Sequence, residues 1–137
     1  MTVLQGKGVT AMVGIVLVSH SEALVSALHD YTKVIAPNAP VALAGGMPDG
    51  SFGTSYARVR AAINRVNGPD GVIVLMDIGA SATVVKMVLT DMGDPGVYMA
   101  DCPFVEGAVE ATVQAQAGID RASIVQSLKS LSSLRKF

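Results

Sequence analysis

Four short runs of the chain are almost continuously apolar and β-branched: Val13–Ser19, Val41–Ala44, Val72–Asp77 and Val97–Ala100. Strands buried on both faces of a sheet read this way, whereas a half-exposed antiparallel strand would alternate. Between these runs the apolar period changes. Ala23, Leu24, Ala27, Leu28 and Tyr31 mark one helix, and Tyr56, Val59, Ile63 and Val66 mark a second. A third covers about Ala80–Met92 and carries Val84, Met87, Val88 and Leu89. Two more follow the fourth strand, over about Val105–Ala117 and Arg121–Ser133, the last striped by Ile124, Leu128 and Leu131. Pro37 and Pro40, Asn67-Gly68-Pro69 and Gly93-Asp94-Pro95 fall between the elements, where helix-ending residues belong. The order βαβαβαβαα predicts an α/β fold, a parallel sheet flanked by helices with right-handed crossovers.

A chain of 137 residues has room for one core, and 50% hydrophobic content against 15% charged predicts that the core is well filled. So little surface charge on a small domain points to self-association. A net charge of −1 with no basic stripe argues against nucleic-acid binding. No apolar run approaches the ~18 residues that span a bilayer. Cys102 stands alone, so neither an intrachain disulfide nor a CxxC metal knuckle is available, and a cytoplasmic location is the expectation. Residues 1–11 are polar and contain glycine, and read as a loose N-terminal extension or a cloning remnant, with the domain over 12–137.

In a parallel α/β sheet, ligands bind beyond the carboxyl ends of the strands, where strand order reverses. Strand one is followed by Ser19-His20-Ser21, and strand two by Gly45-Gly46-Met47-Pro48-Asp49-Gly50. Strand three ends in Asp77-Ile78-Gly79-Ala80-Ser81, and strand four in Asp101-Cys102-Pro103-Phe104-Val105-Glu106-Gly107. Nearly every chemically capable side chain therefore gathers on one sheet edge. If strands one and three are neighbours, Asp77 comes within reach of His20. A carboxylate on one ring nitrogen fixes the tautomer and leaves the other nitrogen free to attack, as a nucleophilic histidine requires. The plainer alternative makes His20 a helix-cap residue and Asp77 an N-cap. Gly45–Gly53 leads to Thr54-Ser55 at a helix start, and its amides with Thr54 can cradle a phosphate. It has neither the P-loop lysine nor the GxGxxG order. As a plain loop, it would supply Thr54 or Ser55 as a cap. Gly79-Ala80-Ser81 is either a tight turn into a helix or a second close approach to an anion. Glu106 is either a first-turn carboxylate complementing the helix dipole or a pocket-rim residue.

Two histidines without HxxxH or HExxH spacing predict no metal site, and His29 reads as a surface or edge residue. Ser19, His20 and Asp77 superficially suggest a hydrolase triad, but there is no GxSxG elbow, and a serine adjacent to its own base is poorly placed. The methionines, Met47, Met76, Met87, Met92 and Met99 among them, read as core filler.

The blocks Val13–Ser21, Gly46–Thr54 and Val74–Ser81 together resemble the mannose-type enzyme IIA domains of the phosphoenolpyruvate-dependent phosphotransferase system. Within that group, Cys102-Pro-Phe-Val-Glu-Gly107 is similar to a stretch of the phosphocarrier subunits of phosphotransferase-dependent dihydroxyacetone kinases. The resemblance covers about Met12 to the end. It implies a three-layer α/β/α fold with a four-stranded parallel sheet ordered 2-1-3-4, and a homodimer. It also implies that His20 accepts a phosphoryl group from the phosphorylated carrier HPr, with Asp77 orienting the ring. Gly53, Thr54, Gly79, Ala80 and Ser81 would contact the phosphate, and Met47, Pro103 and Glu106 would form a rim facing partners. The phosphoryl group would pass to ADP held on the kinase subunit DhaL, which serves dihydroxyacetone bound by DhaK. ADP and Mg²⁺ would belong to that partner, with no cofactor bound directly. Two alternatives stand beside this: a sugar-transporter enzyme IIA donating to a IIB domain, and a non-catalytic regulatory or small-molecule-binding domain.

Overall fold

The computed structural model describes residues 12–137. The expectation for residues 1–11 falls outside the described residues. Strands β1 (Gly14–Ser19), β2 (Val41–Gly45), β3 (Val72–Met76) and β4 (Val97–Met99) form one sheet in the order β2-β1-β3-β4. Every pairing is parallel. Helices α1 (Glu22–Ile35), α2 (Tyr56–Val66), α3 (Ala80–Met92), α4 (Phe104–Gln116) and α5 (Arg121–Leu131) alternate with and follow the strands. The predicted α/β architecture and sheet order are thus observed, with element ends shifted by a residue or two.

Strand pleating divides the core. Ile15, Leu17, Ile73 and Leu75 point into one cluster with Val25 and Leu28 of α1, Ala108 and Ala111 of α4, and Ile124 and Leu128 of α5. The alternate positions Val16, Val18, Val72 and Val74 pack on the opposite face against Val59 and Ile63 of α2 and Val85 and Val88 of α3. A sheet covered on both faces explains the continuously apolar strands, because a period of two here sends apolar groups into two separate cores.

Two helix faces differ from the periodicity expected of them. On α1 the buried positions are Val25, Leu28 and Thr32, while Leu24 and Tyr31 are exposed. This helix carries a second apolar stripe, with Val34 and Ile35 also exposed, so spacing alone does not select the inward face. On α3 the inward residues are Ser81, Val85 and Val88. Met87 is exposed and is not core filler; it lies one residue off the buried line.

The end of β3 and the start of α4 meet at a glycine. A Cβ on Gly107 would lie 2.6 Å from Cys102 Sγ and 2.8 Å from Leu75 Cδ2. The first turn of α4 rests against the sheet only because that position has no side chain. Overpacking of this kind costs about 1–3 kcal/mol. Gly107→Ala should lower stability by that order in urea denaturation. Adding Cys102→Ala should recover part of the loss, since it removes the nearer clash and leaves Leu75 in place.

Candidate functional site

The site is assembled by the β1–β3 pairing. Val18 lies opposite Met76, and Asp77 N–H extends the ladder by donating to Val18 O at 3.1 Å. The residues that leave the two strands, Ser19-His20 and Asp77, are therefore held side by side. The neighbour relation that the chemistry needed is present.

Capping is done by other residues. Ser21 caps α1, its hydroxyl accepting from Leu24 N at 3.2 Å. Ser55 caps α2 by accepting from Arg58 N at 3.2 Å. Gly79 stands at the cap of α3 without a side-chain bond. His20, Asp77 and Thr54 are thus released from the capping roles that the sequence left open.

Asp77 is the hub. Its Oδ2 accepts from Ser19 Oγ at 2.9 Å and from His20 N–H at 3.1 Å. Its Oδ1 accepts from Ile78 N–H at 2.8 Å and from Ser81 Oγ at 3.2 Å. His20 Nδ1 stands 3.4 Å from Oδ1, with the histidine side chain 29% exposed and the aspartate 12%. Burial pushes the Asp77 pKa up, but the bonds from His20 N–H, Ile78 N–H, Ser19 and Ser81 together outweigh it, and the carboxyl is held below its ordinary range. The group next to His20 is accordingly an anion at neutral pH.

Ser81 is fully buried. Its Oγ lies 3.2 Å from His20 Nδ1 and 2.9 Å from Thr54 Oγ1. Gly53 N–H donates to His20 O at 2.9 Å, so it anchors the glycine-rich loop to the histidine backbone and is not free for an anion. With φ at +151°, Gly53 holds a conformation that side-chain-bearing residues rarely adopt. Met47 N–H to Ser51 O at 2.9 Å and Gly50 N–H to Met47 O at 2.9 Å keep the rest of that loop folded on itself. Gly79 and Ala80, at the entrance to α3, are exposed beside Asp77.

Of the expected rim, Pro103 is exposed and Met47 is half-buried, its Sδ 3.0 Å from where a Gly53 Cβ would lie. Glu106 is bound to Lys136 at 2.7 Å. Sequence reasoning weighed Ser19 only as a triad serine and set it aside; its role is different, its buried hydroxyl donating to Asp77 and accepting from Ser21 N–H at 2.9 Å. A buried serine as the last residue of an otherwise apolar strand was the available signal.

A cleft of about 340 Å³ opens beside the Asp77–Gly79 turn and is lined by Ile78, Lys86, Asp101 and Cys102 as well. His20 is not in its wall. Burial, and then Asp101, push the Cys102 thiol up to about 11, so it is not a nucleophile at neutral pH. His29 is half-buried, and burial lowers its pKa. Among the described residues no group of three or more His, Cys, Asp or Glu could hold a metal ion. No helix there is long and apolar enough to cross a membrane.

Residues 14–125 match the family described as EIIA-man, PTS system fructose IIA component. The chain belongs to this family. As a mannose-type enzyme IIA it is a phosphotransfer component of the phosphotransferase system. A Listeria innocua protein is 31% identical over 118 residues, covering 86% of this chain and 94% of its own, and is named PEP-dependent dihydroxyacetone kinase 1, phosphoryl donor subunit DhaM. A Lactococcus lactis protein named PTS-dependent dihydroxyacetone kinase, phosphotransferase subunit DhaM, shows the same identity and coverage, 31% over 118 residues. The Escherichia coli DhaM is 33% identical over 116 residues, but these make up only 25% of its length. In fold, this enzyme IIA matches a crystal structure of a protein described as of unknown function, with TM-score 0.77 at 20% identity over 92% of this chain and 98% of the other. An Enterococcus faecalis sigma-54 interaction domain protein matches at TM-score 0.68 and 16% identity, over 88% and 90% of the two chains.

The lowered Asp77 pKa fixes a pH dependence. A carboxyl depressed on folding adds stability that is complete above its unfolded value, about 4, and is lost as pH falls through the lower folded value. The stability gap between the wild type and Asp77→Asn should be widest near neutral pH and shrink below about pH 4. Melting temperatures of both proteins across that range measure it.

Proposed function

We propose that this protein is a phosphohistidine carrier: His20 accepts a phosphoryl group from phosphorylated HPr and passes it to ADP bound on the DhaL subunit of a dihydroxyacetone kinase. One observation carries the chemistry. His20 Nδ1 faces Ser81 and the Asp77 carboxylate at 3.2 and 3.4 Å, so the opposite nitrogen, Nε2, is left as the nucleophile. The names of the Listeria and Lactococcus relatives, both aligned over nearly their full length, support the kinase branch over a IIB acceptor.

In the first half-reaction the Nε2 lone pair attacks phosphorus in line, the bond to the donor's nitrogen breaks, and that nitrogen keeps the electron pair. The transition state is loose, so positioning and charge stabilisation are the protein's contribution. The phosphorylated ring carries positive charge, which Asp77 offsets. The phosphate oxygens meet the exposed Gly79 and Ala80 at the start of α3; the next two amides are already used, Ser81 N–H donating to Ile78 O at 3.1 Å and Ala82 N–H to Gly79 O at 3.0 Å. In the second half-reaction a terminal oxygen of ADP attacks, the P–N bond breaks and Nε2 regains its pair. An ester on Ser19 or Ser21 would be too stable for such a relay. Nucleotide and Mg²⁺ belong to the acceptor in this scheme. The proposal takes the protein as a cytoplasmic homodimer; the outer apolar stripe of α1 with Tyr31 and Val34 supports self-association.

A protein donor must reach a histidine that lies outside the neighbouring cleft. The two large apolar side chains flanking it, Phe52 at 81% exposure and Ile78 at 58%, are each one residue from a group bonded to His20, namely Gly53 and Asp77. Both are taken here as contacts for a partner that covers His20.

Incubation with phosphoenolpyruvate, enzyme I and HPr should place an acid-labile, base-stable label on the protein, and His20→Ala should abolish it; a label that survives that change disproves the assignment. Reconstitution with DhaK and DhaL against a IIB acceptor checks the second half-reaction. Phe52→Ser and Ile78→Ser should each slow transfer from phospho-HPr roughly tenfold, as loss of an interface anchor does, with labelling by the small donor phosphoramidate unchanged.

A further inference from the structure

Ser81 is the group that the arrangement around His20 leaves unaccounted for as a simple phosphate ligand. It is fully buried, and its single hydroxyl faces three partners: Asp77 Oδ1 at 3.2 Å, His20 Nδ1 at 3.2 Å and Thr54 Oγ1 at 2.9 Å. A hydroxyl has one proton and two lone pairs. Asp77 is ionised and only accepts, so the Ser81 proton goes to Oδ1. Both Ser81 lone pairs are then left to accept, one from the Thr54 hydroxyl and one from a proton on Nδ1. The circuit closes with no capacity left over, and it closes only for the tautomer with the proton on Nδ1. The direct Nδ1–Oδ1 distance of 3.4 Å lies beyond the usual 2.7–3.2 Å range for an N–H···O bond, whereas the Ser81 contact lies at its edge.

We infer that Ser81, held in place by Thr54, is a positioning residue that fixes the His20 tautomer, with Asp77 acting on the ring chiefly through the Ser81 hydroxyl. This rests on the reading of His20 as the phosphorylated nucleophile, but it concerns the unphosphorylated protein and is measurable there. A helix and a loop from different parts of the chain thereby set one proton: α3 brings Ser81, and the segment between β2 and α2 brings Thr54. Ser55 takes the cap of α2, which frees its neighbour Thr54 for this bond.

The test is ¹⁵N NMR of the His20 ring at about pH 9, well above the ordinary histidine range, combined with the rate of labelling by phosphoramidate. The wild type should show Nδ1 protonated and Nε2 bare. Ser81→Ala, which suits a helix interior, should shift the ring toward a mixture of tautomers and slow labelling roughly five- to tenfold, the scale of one lost hydrogen bond. Thr54→Val, nearly isosteric, should move both readouts the same way by less, and Ser81→Thr should restore them. An unchanged tautomer in Ser81→Ala overturns the inference even if labelling slows, because Ser81 would then act on the phosphate. If Ser81→Ala does not fold, an unchanged tautomer in Thr54→Val overturns it equally. Absence of labelling in the wild type refutes the carrier reading and leaves the tautomer result standing.

Discussion

One carboxylate joins the two central strands where they end. Asp77 takes hydrogen bonds from Ser19 and the His20 amide on the β1 side, and from Ile78 and Ser81 on its own side. Burying an anion is costly unless donors surround it, and here they do. The same bonds that make the charge tolerable also fix the backbone that carries His20. Position and electrostatics are therefore one feature: a change that neutralises Asp77 loosens the strand ends as well as removing the counter-charge for a phosphorylated ring.

The depth of the sheet protects this arrangement. Ile15, Val16, Leu17 and Val18 are fully buried between two helix layers, so β1 delivers His20 from a rigid support. Its neighbours across the ladder, Val74 and Leu75, are equally buried. Sites carried on strands hold geometry better than sites carried on mobile loops. A histidine that must face first one protein and then another benefits from a base that neither partner deforms.

Most of the fold was legible in the chain. Apolar runs too continuous for an exposed sheet gave the parallel strands, and Pro and Gly clusters gave the breaks. His20 and Asp77 were legible because polar groups at the ends of such strands have few other places to go. The inward face of α1 was not, since Leu24, Tyr31, Val34 and Ile35 make a second apolar stripe as plausible as Val25 and Leu28. Nor was the task of Gly53, whose amide is bound to His20 O, or the burial of Ser81. Spacing locates residues along one element. It does not report bonds between hydroxyls 27 residues apart, such as Thr54 and Ser81.

The loop over residues 46–53 is held by main-chain bonds, from Gly53 to His20, Met47 to Ser51 and Gly50 to Met47. Such bonds are largely indifferent to which side chains project outward between them. Pro48 and Phe52 are therefore open to replacement without disturbing the charge arrangement beneath, whereas Asp49 helps hold the turn by accepting from Ser51 N–H at 2.9 Å and from Ser51 Oγ at 2.6 Å. Recognition and chemistry sit on separate parts of the same few residues, so evolution can retune whom the protein meets while leaving intact what it does on meeting them.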